Sequence, residues 1–280
     1  MSVRIKNLWL VLFILSCQEP NKPTAEKSVS KSAEKEIRQE STENLGSPII
    51  PKESIVNDFK SFWNYYSRYV ELYNDFYGLD EKGQKISRIM FLKEMSKGKY
   101  YPLLVHGAET GKHYQLTPIP AQADADISVY MKDFAQTQLV FCEMEGKALP
   151  TFTFVDLRGN TYTSANTKGK LLVLKCWFIN CVPCVEEMPD LNKLVEKYKS
   201  RDDIVFIGLA LDDKQALEQF LKQKTFDYHI IPHQKEYITG KLHVNAYPTH
   251  FLINKKGELV HNFPDAKHVE EAIQQELKIL

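Results

Sequence analysis

The stretch LLVLKCWFINCVPCVEEMPDLNKLVEKY, residues 171–198, decides how this chain is read. Residues 171–178 form an apolar run broken only by Lys175, the pattern of a strand buried on both faces. Residues 182–199 follow with helical spacing, bent at Pro189. Between the two lies a C-x-x-C, Cys181-Val182-Pro183-Cys184. A cysteine at the start of a helix meets free backbone N–H groups and the positive end of the dipole, and both favour thiolate over thiol. Its ordinary pKa of about 8.5 falls toward neutrality in such motifs, so the thiolate is available to attack a disulfide. Cys184, one turn later, lies too deep to attack first, yet close enough to resolve the mixed disulfide. Pro183 fits the first helical turn, where a missing N–H costs little.

The flanking sequence alternates strand and helix patterns from residue 149 onward, as βα-type folds do. Strands are predicted over 151–155 and 160–163, as a hairpin around Asp156-Leu157-Arg158-Gly159, and over 204–211 and 228–231. A second hairpin joins 251–254 to 258–262 across Lys255-Lys256-Gly257, with helices over 214–223 and 267–280. Tyr247-Pro248-Thr249 enters the 251 strand from a turn, which makes Tyr247–Pro248 a candidate cis bond.

Residues 146–280 resemble the TlpA-like branch of the thioredoxin superfamily, the exported disulfide reductases. The resemblance rests on Trp177-Phe178, the C-x-x-C, Glu187-Met188-Pro189 and Leu191. Upstream it takes in Gly146, Pro150, Phe152, Asp156, Gly159 and Lys168-Gly169-Lys170; downstream, Tyr247-Pro248-Thr249, Phe251-Leu252-Ile253 and Gly257. It implies an α/β fold over 147–280, a thioredoxin-type mixed sheet flanked by helices. It also implies Cys181 as nucleophile, Cys184 as resolving thiol, a Cys181–Cys184 redox disulfide, Pro248 as the cis-proline facing it, and Glu187 as the family's acidic residue. Tyr247, Val182 and Pro183 become substrate-contacting residues. Protein disulfides are the implied substrates and a membrane-embedded component the implied electron donor, with no cofactor. Two positions depart from the pattern. Asn180 precedes Cys181 where thioredoxins carry Trp, and Lys175 stands where thioredoxin has a buried Asp that helps move protons.

The remainder of the chain places this domain. Of 280 residues, 36 are Lys or Arg and 36 Asp or Glu, with 43% hydrophobic. This is ordinary globular usage, which argues against disorder throughout and against a nucleic-acid partner. Five cysteines are too few for a disulfide scaffold. Residues 1–17 join Arg4 and Lys6 to an apolar run too short to span a bilayer, ending Ile14-Leu15-Ser16-Cys17. This resembles a lipobox and implies cleavage before Cys17, lipidation of that cysteine, attachment to the bilayer and a periplasm-facing protein in the cell envelope. A plain signal peptide cleaved elsewhere is the alternative. Residues 18–57 lack Phe, Trp and Tyr and mix both charges, predicting a disordered tether. Residues 58–146 are expected to form a small α+β unit of helix–hairpin–helix type. Its predicted elements are an aromatic helix over 59–77, strands over 86–95, 100–106 and 113–119, and a helix over 127–143.

Other chemistries fit less well. His229 and His233 lie too far beyond Cys184 for a finger-type zinc site, and no metal site is expected. A peroxidase would want Pro and Thr or Ser where Leu174 and Phe178 stand. A copper-chaperone variant of the same fold, usually with cysteines one residue wider apart, is one alternative; a partner-binding scaffold with a static disulfide is another. Cys142 and Cys176 are expected to be packing thiols, and His106, His113 and His250 surface or core residues.

Overall fold

The computed structural model describes residues 45–278, which lie within one compact unit. The leader, Cys17 and the tether as far as residue 44 lie outside the described residues. Among the described residues no helix is long and apolar enough to cross a membrane.

The N-terminal part is built on aromatic burial. Helix α1 (Phe59–Tyr69) is capped by Asp58, whose carboxylate accepts from the Ser61 N–H, and it buries Phe62, Tyr65 and Tyr66. The aromatic spacing predicts a helix as far as Tyr77, but α1 ends at Val70, where the backbone turns extended. The chain returns as β1 (Tyr77–Leu79), which pairs in parallel with β4 (His113–Pro118), and the Tyr77 ring stacks on His113. A distant strand therefore takes the end of the aromatic run away from the helix. β2 (Lys85–Ile86) and β3 (Tyr100–Val105) complete a four-stranded sheet in the order β2-β1-β4-β3, more than a hairpin.

Residues 86–95, expected as a strand, form α2 (Arg88–Met95) instead. Ser87 accepts from the Met90 N–H at the N-terminus, and Phe91, Leu92 and Met95 go to the core on one helical face. Residues 45–57, expected within the tether, also differ. Pro48 bridges to Val105, the Gly46 N–H donates to His106, and Ile55 is buried in the aromatic core. The edge of β3 offers unpaired backbone groups, and this segment satisfies them.

The long helix α3 (Ala125–Met144) joins two cores. Ile127, Met131 and Ala135 belong to the N-terminal core, whereas Phe141 packs edge-on against Phe251 at 5.3 Å, beneath the C-terminal sheet. That sheet has the order β11-β10-β7-β8-β9. β7 (Leu171–Trp177), β8 (Ile204–Ala210) and β9 (His229–Ile231) run parallel, and β10 (Thr249–Ile253) and β11 (Leu259–Phe263) add antiparallel. Every residue of β7, β8 and β10 is buried, as the continuous apolar runs predict. β5 (Thr153–Val155) and β6 (Thr161–Thr163) form the expected hairpin. One sheet face carries α4 (Val182–Glu186), α5 (Met188–Tyr198), α6 (Lys214–Leu221) and α7 (Val269–Lys278); the other is covered by Phe141, Phe152, Phe154 and Ile238. This is the mixed sheet flanked by helices that the resemblance implies. Gly208 is required in β8, since a Cβ there would lie 2.9 Å from Ile230 and 3.0 Å from the Trp177 indole nitrogen.

Candidate active site

The site forms where β7 leaves the sheet. Trp177, fully buried against Phe220 and Phe226, fixes the strand end. The loop beyond it is held by the Ile179 N–H donating to Asp212 at 2.8 Å and the Cys181 N–H donating to the Phe178 carbonyl. Cys181 then caps α4, its sulfur accepting from the Cys184 N–H at 3.3 Å. Cys181 and Cys184 are joined in a disulfide. Cys184 is wholly buried, whereas Val182 between the two is 65% exposed and Pro183 is exposed, so the motif presents one face to solvent.

Across from it, the Tyr247–Pro248 peptide bond is cis and leads into β10. The Tyr247 ring meets Phe178 edge-on at 5.4 Å. Pro183, Glu187, Pro248, Pro264 and Ala266 line a groove of about 860 Å³ alongside the disulfide helix. The structure thus brings Cys181, Cys184, Val182, Pro183, Glu187, Tyr247 and Pro248 to one end of the sheet. Cys142 and Cys176 are free thiols on α3 and inside β7, and burial raises the pKa of both.

Beneath the disulfide lies a buried polar cluster. The β7–β10 register places Lys175 opposite His250. Lys175 Nζ donates to the Cys184 carbonyl at 2.7 Å and to Glu187 Oε1 at 2.5 Å, and stands 5.4 Å from the Phe226 ring centroid. His250 Nε2 is 2.8 Å from the same Glu187 oxygen, while Glu187 Oε2 accepts from the Ala266 N–H at 3.0 Å. Lys175 and His250 are fully buried. Burial works to raise the Glu187 pKa, but His250 and then Lys175 outweigh it and hold the carboxyl below its ordinary range. Burial lowers the Lys175 pKa, against the pull of Glu187.

His250 is a site residue that sequence reasoning read as an ordinary surface or core histidine. Its signal is its place two residues after Pro248, but the Lys175 pairing that gives it meaning follows only from strand register. Elsewhere, His229 is bound to Asp156 at 3.2 Å and packs on Tyr162. Among the described residues no three His, Cys, Asp or Glu side chains gather as a metal site.

A family model described as Redoxin matches residues 144–277. Among curated proteins, a thiol-disulfide oxidoreductase ResA of Bacillus cereus is 35% identical over 116 residues, covering 41% of this chain and 66% of that protein. The chain therefore spans just under two thirds of that relative. ResA of Bacillus thuringiensis subsp. konkukian is 31% identical over 134 residues, covering 48% of this chain and 76% of that protein. Among solved structures, StoA from Bacillus subtilis is 23% identical, covering 46% of this chain and 96% of that one, with a TM-score of 0.40.

Proposed function

Because the chain belongs to the TlpA-like branch of the thioredoxin superfamily, with the ResA-type thiol–disulfide oxidoreductases, we propose that it is an exported, lipid-anchored enzyme that reduces protein disulfides. The observation that carries this reading is the Cys181–Cys184 disulfide at the mouth of α4, beneath the exposed Val182 and Pro183 and at the end of the sheet where cis-Pro248 enters β10. In the reduced enzyme the Cys181 thiolate attacks one sulfur of a substrate disulfide. A mixed disulfide forms and the first substrate thiolate leaves. Cys184 then attacks the Cys181 sulfur, the second substrate thiolate leaves, and the enzyme disulfide is regenerated. Two electrons pass to the substrate, and a membrane-embedded dithiol donor returns them.

Resolution requires Cys184 to give up its proton. The positive end of Lys175 on the Cys184 carbonyl and the Glu187 carboxylate one turn away set the field in which it does so. Lys175, Glu187 and His250 act in this reading as positioning residues, whereas Cys181 and Cys184 are catalytic. Pro248 and Tyr247, with Val182 and Pro183, form the surface against which substrate lies. The lipid on Cys17 holds the enzyme to the envelope, facing the periplasm, and residues 18–44 serve as spacer.

Three variants and two measurements test this. Cys181→Ser abolishes reduction of a protein disulfide such as insulin, and Cys184→Ser accumulates a mixed disulfide through Cys181. Unchanged turnover in Cys181→Ser would sink the enzyme reading. The reduction potential of the pair tests direction: a value near that of a strong oxidant, about −120 mV, overturns the reductase assignment. Metabolic labelling with a fatty acid tests the anchor, with incorporation lost in Cys17→Ala.

A further inference from the structure

A cavity of about 580 Å³ opens between α3 and the end of the C-terminal sheet that carries Pro248. Phe59, Tyr130 and Phe134 of the N-terminal part supply an aromatic wall, and Ala246, Pro248 and Thr249 supply the opposite one. Pro248 and Pro264 border both this cavity and the groove along the disulfide helix, so a chain lying against Pro248 passes from one to the other.

Two buried amides line the cavity without partners. Gln138, from α3, is 6% exposed and its Oε1 has no hydrogen-bond partner among the described residues. Asn262, from β11, is 1% exposed and its Nδ2 has none either. The β10–β11 register sets Asn262 opposite Phe251, on the sheet face that Phe141 of α3 covers, so the amide stands on the α3 side of the sheet. Buried side-chain amides are nearly always paired, and an isolated one is costly. One of these atoms accepts and the other donates, which is what a peptide backbone needs for its N–H and C=O. The rim is acidic: Asp126 and Asp133 line the cavity, both exposed, and no Lys, Arg or His among the described residues does.

We propose that this cavity is a docking subsite for an extended segment of the substrate polypeptide next to its reactive cysteine. Its backbone amide pairs with Gln138 and Asn262, an apolar side chain lies on Tyr130 and Phe134, and a basic side chain faces Asp126 and Asp133. The N-terminal part thereby selects which protein disulfides reach Cys181. The inference rests on the oxidoreductase reading and gives it a substrate class: apolar, basic segments flanking a disulfide.

The test uses the mature full chain and a short peptide whose single cysteine, flanked by Leu, Tyr and Arg, is disulfide-linked to 2-nitro-5-thiobenzoate. Glutathione carrying the same label serves as a substrate too small to fill the cavity. Gln138→Leu and Asn262→Leu are expected to lower the peptide-to-glutathione ratio of kcat/KM by about three- to tenfold each, as the loss of one hydrogen bond does. Asp133→Lys, at an exposed position that folding tolerates, lowers the ratio for the Arg peptide and raises it for a Glu counterpart. Ratios equal to wild type in all three variants overturn the subsite and leave the enzyme reading standing. Fluorescence anisotropy of the same peptide with Ser for Cys separates the two failures. Binding that depends on Gln138 in a chain with no reductase activity supports the subsite and refutes the enzyme reading. Absence of Gln138-dependent binding overturns the subsite whatever the activity.

Discussion

Substituting Glu187 by Leu removes the carboxylate that pairs with Lys175. The lysine is fully buried, and in the variant its ammonium keeps the Cys184 carbonyl and the face of Phe226. An ion left without its partner in such a place costs about 3–5 kcal/mol. For a chain of this size that lowers the thermal midpoint by roughly 6–20 °C. Lys175→Met is milder, at about 1–3 kcal/mol, because Glu187 keeps His250 and the Ala266 N–H. The double variant Lys175→Met/Glu187→Leu leaves no charge stranded and recovers about 2 kcal/mol or more relative to Glu187→Leu alone.

The pH dependence separates this account from simple loss of packing. The folded pKa of Lys175 lies below its ordinary 10.5. Between those two values the unfolded chain binds the extra proton, so stability rises with pH toward 10.5. Without Glu187, which pulls that pKa upward, the window opens at lower pH. The deficit of Glu187→Leu therefore narrows between pH 7 and pH 9.5, while that of Lys175→Met does not. Urea unfolding of the oxidised protein at both pH values measures this. A cost for Glu187→Leu below about 1 kcal/mol, or a deficit that does not change with pH, would refute the reasoning.

Gly208→Ala pushes a methyl group into Ile230 and the Trp177 indole, and is expected to cost about 1–3 kcal/mol in urea unfolding. Asp156→Ala removes an acceptor shared by the Arg158 and Asn160 N–H groups, the Asn160 side chain and His229, for about 1–3 kcal/mol. Burial works against the Asp156 charge, but these hydrogen bonds hold its pKa below the ordinary 3.8. Its contribution is therefore present above pH 3.8 and lost as pH falls through the folded value, so wild type and variant converge in acid. Phe141→Ala opens a cavity between α3 and β10 and costs about 3–5 kcal/mol, with unfolding of the C-terminal sheet as the readout.

What could be read from the sequence was whatever local pattern controls. β7 and β8 are continuous apolar runs because both their faces are covered, and the hairpins announce themselves through Gly159 and Gly257, each at positive φ. The redox pair stands at the end of a legible strand, which is why Cys181 and Cys184 could be placed at a helix mouth. Non-local pairing was invisible. β1 interrupts an aromatic periodicity that suits a helix, because β4 claims it from far along the chain. The bulky residues of α2 suit a strand, although Ser87, three positions before Met90, supplies an N-cap signal for a helix. The Lys175–Glu187–His250 cluster joins a strand, a helix break and a second strand, and only their register makes one site of them.

Helix α3 has side chains in two cores, and this bears on how such proteins are assembled from parts. The redoxin sheet has a back face that must be roofed, and here part of the roof, Phe141 and Met144, is lent by the preceding unit. Grafting this sheet onto another N-terminal unit would uncover Phe251 unless the donor brought a helix of matching pitch. Substitutions in the N-terminal part that shift the seat of α3 are thus expected to loosen the C-terminal sheet as well, through Phe141 and Met144.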